Sequence, residues 1–226
     1  MIFRCKCTSW LAVATLALTL VWIVMMVLSE AYYGPLDEIS RILAYYRGSP
    51  AIFTAIYLAC GGLTLVTLLW FAALFEEFRQ AHPMAATLGI AMAPVYATLN
   101  GVVYFSQVAV VAELARSADI PDPVLVQLVQ LEPSSMMAFV NVFAYAVLGV
   151  PSGFFGYLAY RKAPQLRFSG FCLAASGIGS WLSVLGMVVG VPALRSGVVI
   201  GGVLFLLALL TFVWGTRRDL VGSAVA

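Results

Sequence analysis

The chain has 226 residues, of which 63% are hydrophobic and 10% charged, against about 45–50% apolar and about 25% charged in a soluble globular domain. Its 12 basic and 10 acidic side chains cannot cover the surface of so apolar a body, so a soluble monomer is excluded and the bilayer becomes the main partner. The net charge of +2 gathers in no basic patch, which excludes nucleic acid, and nothing identifies a protein partner.

Crossing a hydrocarbon core of ~30 Å takes about 20 apolar residues in a helix. Six segments qualify, at 10–28, 51–75, 84–114, 135–160, 168–189 and 197–215. The expected fold is therefore all-α, a six-span transmembrane bundle forming a single domain over residues 1–226. The first segment follows Arg4 and Lys6 and precedes Ser29-Glu30-Ala31, loosely like a cleavable signal peptide. Its apolar core exceeds the 7–15 residues or so of such a peptide, so it is expected to stay as a helix.

Between the first two spans, the run from Leu36 to Arg47 repeats apolar residues at three and four, which predicts a short amphipathic helix in the membrane interface. Tyr32, Tyr33, Tyr45 and Tyr46 suit an aromatic belt there. Between spans three and four, Asp119-Ile120-Pro121-Asp122-Pro123 reads as a helix start, and the segment from Val124 to Leu131 supplies a further turn or two before Glu132-Pro133-Ser134. Such loops either cover the mouth of the bundle or merely anchor it at the interface.

Positive residues mark the cytoplasmic side of a membrane protein. Arg4, Lys6, Arg79, Arg161, Lys162, Arg167, Arg217 and Arg218 fall on one side, eight in all, whereas Arg41, Arg47, Arg116 and Arg195, four in all, fall on the other. The expectation is that both termini are cytoplasmic.

The third and fourth spans carry the chemistry. Tyr96, Asn100, Tyr104 and Gln107 follow at intervals of four, four and three, and Asn141, Tyr145 and Ser152 at four and seven, so each set occupies one helical face. Bare amides in hydrocarbon cost several kcal/mol, so both stripes should face inward. Counting depth from Leu114 and Ser134 sets Gln107 opposite Asn141, Tyr104 beside Tyr145 and Tyr96 near Ser152. This polar seam is either glue between helices or the wall of a small uncharged cavity, fit for a neutral apolar or lipid-like ligand.

Elsewhere, Gly149/Gly153, Gly179/Ser183 and Gly186/Gly190 form small-residue ridges that favour close helix packing. Pro94 and Pro151 should kink spans three and four. Cys5, Cys7, Cys60 and Cys172 form no disulfide framework, and the sole histidine, His82, leaves Cys5 and Cys7 without a second ligand pair. No metal or cofactor is expected.

The stretch from Asn100 through Tyr104-Phe105, Gln107 and Val110-Val111, then an amphipathic loop, Pro133 and Asn141 with Tyr145, resembles a group of uncharacterised bacterial six-span membrane proteins. The resemblance covers residues 96–160 and implies a helical fold in a bacterial inner membrane, with no activity attached. The resulting expectation is a non-enzymatic integral membrane protein whose seam holds a small ligand or simply the bundle. The alternative is an intramembrane enzyme acting on a lipid or isoprenoid, with Glu30 or Glu113 working beside the tyrosines.

Overall fold

A computed structural model describes residues 6–117 and 121–222; Arg4, Cys5, Asp119 and Ile120 lie outside them. Every element among the described residues is helical. Six stretches are long and apolar enough to cross a membrane, at Cys7–Tyr33, Ala51–Phe78, Pro83–Arg116, Met136–Lys162, Pro164–Val188 and Pro192–Thr216. Each coincides with an expected span, most ends running a few residues further where the helix outruns its apolar core, while the fourth begins and the fifth ends one residue short.

Helix α1 runs over Lys6–Tyr33, α2 over Ile39–Gly48 and α3 over Ala51–Phe78. The expected loop helix is therefore present as α2. It ends where Ser49 turns to a left-handed φ of 36° and returns its N–H to Tyr45 O at 3.0 Å, and Pro50 then prevents continuation.

The third span is interrupted twice. Helix α4 (Pro83–Ala91) gives way at Met92 to α5 (Ala93–Ser106), because Pro94 has no N–H for the carbonyl of Ile90, which accepts from Met92 instead. A π-helical turn then occupies Gln107–Val111, closed by the bond from Ala112 N–H to Gln107 O, before α6 (Ala112–Arg116). Helix α7 follows at Asp122–Leu128, with Pro123 in its first turn where a missing N–H is harmless. Helix α8 (Met136–Lys162) carries Pro151 inside an unbroken helical run. Helices α9 (Arg167–Val188), α10 (Pro192–Arg195) and α11 (Gly197–Gly222) complete the chain.

Two compact units can be distinguished, and α1, α3, α5 and α8 contribute to both. The first comprises residues 1–17, 65–97 and 142–226; the second comprises 18–64 and 98–141. In the first unit, Trp70, Phe71, Phe155 and Phe212 are fully buried. The rings of Trp70 and Phe212 meet edge to face at 5.5 Å, and those of Phe71 and Phe155 lie 5.7 Å apart, a geometry suited to the aromatic quadrupole.

The same unit shows how the helices come together where lipid supplies no hydrophobic drive. A Cβ on Gly177 would lie 2.5 Å from Gly149 O, and one on Gly156 would lie 2.7 Å from Gly170 O, so α8 and α9 touch backbone to backbone. A Cβ on Gly179 would lie 2.8 Å from Gly197 O, which brings α11 equally close to α9. Ser183 donates to Arg195 O at 2.7 Å. Two of the expected ridge positions differ: Gly153 has open space beside it, its place on α8 being taken by Gly156, and Gly190 turns the chain at φ 71° beyond the end of α9.

Gly177→Val should therefore lower stability by about 1–3 kcal/mol through overpacking, whereas Gly153→Ala should raise it by about 0.5–1 kcal/mol through helix propensity. Thermal unfolding in detergent checks both; equal behaviour of the two variants would contradict the packing described.

Candidate functional site

In the second unit, α2 does not rest on lipid with its apolar face. Ile42, Leu43, Tyr45 and Tyr46 are buried, with Tyr46 at 0% exposure, packed in one core with Phe53, Tyr57, Val103 and Val129. The aromatic belt is thus half of what the sequence suggested: Tyr32 and Tyr33 are exposed, whereas Tyr45 and Tyr46 are interior. The reason is that α2 has two neighbours to pack on, and burial against protein satisfies hydroxyls that acyl chains cannot.

The polar centre of this core is Gln107, at the start of the π turn and fully buried. Its Oε1 accepts from the Tyr46 hydroxyl at 2.8 Å and from Gln130 N–H at 3.0 Å. Its Nε2 donates to Leu128 O at 3.1 Å and to Ser106 Oγ at 3.3 Å. A carboxamide has two donors and two acceptor lone pairs, so Gln107 is saturated. Tyr57 extends the network, with its hydroxyl 2.6 Å from that of Tyr46 and 3.1 Å from Gln130 Oε1, where it donates. Burial pushes the Tyr46 phenol above its ordinary range, outweighing the hydrogen bonds that favour its ionised form. Burial likewise raises Tyr45, against the opposing effect of the Ser29 hydroxyl 2.8 Å away. Both phenols therefore work as neutral hydrogen-bonding groups.

A second tie lies at the edge of this network. Arg47 donates from Nε to Ala115 O at 3.3 Å and pairs with Asp122. Both side chains of the pair are about half exposed, so the pair fixes geometry more than it adds stability.

The remaining seam residues divide sharply. Tyr104 packs its ring 6.3 Å from that of Tyr57. Tyr145 stands against Tyr96, with ring centroids 6.2 Å apart, and Ser152 is buried. Asn100 is at 0% exposure, yet neither its Oδ1 nor its Nδ2 has a partner, and the Oδ1 of Asn141 is buried without one as well.

The depth count is corrected by about two turns. Tyr145 is level with Tyr96, eight residues before Tyr104, and the carboxamide of Gln107, counted opposite Asn141, bonds to Tyr46, Leu128 and Gln130. The count assumed that spans three and four begin at one level. Instead, α7 and the residues after it fold back along the end of the third span, bringing Leu128 and Gln130 down to Gln107. Tyr57 and Gln130 are partners in this network that the sequence does not signal, because a tyrosine in an apolar run and a glutamine in a loop have no periodicity of their own, and Tyr46, expected in an aromatic belt, joins them.

Neither carboxylate of the enzyme alternative joins the seam network. Glu113 pairs with Arg116 at 3.1 Å with its side chain 72% exposed, and Glu30 is exposed. Among the described residues, no three His, Cys, Asp or Glu side chains gather as a metal set. An open depression of about 400 Å³ in the first unit is lined by His82, Pro83, Met84, Leu88 and Phe154 among others, and by none of the seam residues. Comparison with protein-family models, with curated proteins and with solved structures finds no match.

Gln107→Leu should cost about 1–3 kcal/mol, since it strands Leu128 O and Gln130 N–H, and hydrogen exchange over residues 121–132 should accelerate as α7 loosens. Combined with Asn141→Leu, the losses should add to within about 0.5 kcal/mol. A clear coupling between the two in detergent melts would overturn the separation drawn here.

Proposed function

We propose that this multi-pass membrane protein resides in a bacterial inner membrane with both termini cytoplasmic, and that it holds a small neutral, apolar or lipid-like ligand in the polar seam of spans three and four. The observation that carries the ligand is Asn100. A buried amide without partners costs roughly 2–7 kcal/mol against hydrocarbon, and a bound group that answers its donor and acceptor removes that cost. Gln107, by contrast, is saturated, so that end of the seam serves as structural glue. Uncharged hydroxyls and amides suit a neutral ligand better than an ion, and the exposed, ion-paired position of Glu113 gives the enzyme alternative no general acid facing the seam.

The orientation rests on the eight-to-four distribution of Lys and Arg over the loops. Reporter fusions at His82 and Gly222 should read cytoplasmic and one at Asp122 external; an external signal at Gly222 would reverse it. For the ligand, native mass spectrometry of protein purified in mild detergent should find a neutral amphiphile retained at about one per chain, and Asn100→Leu should abolish retention while keeping the helical circular dichroism. Equal retention by the variant, or none by the wild type, would refute the reading.

A further inference from the structure

Helix register carries the chemistry of the seam one step further. Tyr96 and Tyr145 are in ring contact on helices joined through α7 and therefore antiparallel. One turn on from Tyr96 is Asn100, and one turn back from Tyr145 is Asn141; residues four apart share a helical face. Moving one turn forward on α5 and one turn back on α8 keeps the two helices level. By this register Asn100 and Asn141, both in the second unit, fall at one level on their helices. The π turn begins only at Gln107, so it does not disturb this count.

At that level three buried polar atoms have no partner: Oδ1 and Nδ2 of Asn100, and Oδ1 of Asn141. No Asp, Glu, Lys, Arg or His occurs in either span within a turn of them, so the group that answers them is uncharged. It must donate to the amide oxygens and accept from Nδ2. A carbonyl or an ether only accepts, and leaves both oxygens bare. A hydroxyl does both: an alcohol gives its one O–H to one of the amide oxygens and accepts from Nδ2, and water, with two O–H bonds, reaches both oxygens.

We infer that Asn100 and Asn141 form a binding site for a neutral hydroxyl group bridging α5 and α8. Two sources offer it, the alcohol headgroup of an amphiphile and water, which in buried sites makes two to four such bonds or so. The site deepens the function proposed above, and in its amphiphile form it rests on that function.

The test is a diffraction structure together with melts in the presence of two probes, oleyl alcohol and oleyl methyl ether. Density should bridge the two amides. Oleyl alcohol should raise the melting temperature of the wild type by about 2–4 °C or more, the ether should not, and Asn100→Leu and Asn141→Leu should each abolish the shift. Compact density with no response to the alcohol identifies water: the hydroxyl site stands and the lipid-like ligand proposed above falls. Two amides bonded directly to each other, or an ether shift equal to that of the alcohol, overturn the site. Retention of lipid in native mass spectrometry would then still support ligand binding at another place in the seam.

Discussion

A polar group on a helix that crosses hydrocarbon has to find its partner inside the protein, because the lipid offers none. That constraint sorts the residues of the third span. Gln107 meets it fully, and in doing so dictates where three other segments lie: α2 through Tyr46, α3 through Tyr57, and the chain after α7 through Leu128 and Gln130. The π turn belongs to the same solution. Widening the helix by one residue per turn changes the direction of side chains beyond it, and here the wider turn starts at the residue whose carboxamide serves four partners. The loop helices are therefore held by hydrogen bonds that have no competitor.

Elsewhere the constraint is met by approach of backbones. Along α8, α9 and α11 the contacts pass through Gly149, Gly156, Gly170, Gly177, Gly179 and Gly197, where dispersion and weak Cα–H···O contacts replace the hydrophobic effect. The serines on α9 turn their hydroxyls to carbonyls, Ser176 to Leu173 and Ser180 to Ser176 within the helix, and Ser169 to Ala208 and Ser183 to Arg195 in the chain beyond it.

The span positions were legible because they depend on a property summed over some twenty residues, and α2 because its apolar spacing is regular over three turns. The inward direction of the third-span stripe was legible for the same reason: Tyr96, Asn100, Tyr104 and Gln107 are all buried. The pairing across helices was not. Depth counting needs to know where each helix begins, and that depends on the return of residues 121–135 toward Gln107, which is fixed by tertiary bonds and by no local pattern. Gly153 illustrates the same limit: the spacing with Gly149 is right, but the crossing of α8 and α9 selects Gly156 instead. The break at Met92 was half legible, since proline marks the place and the neighbouring carbonyls decide its form.

What distinguishes Asn100 from Gln107 is reach. A glutamine carries one more methylene than an asparagine, and at the end of the span it meets loop backbone that has free carbonyl and amide groups to offer. Asn100 lies two turns deeper, where the neighbouring backbone groups are already spent on helical bonds and an extra partner has to come from a side chain or from a bound molecule. Leucine at that position would remove the penalty of a bare amide altogether. A group bound at that depth would complete the bonds that Asn100 lacks.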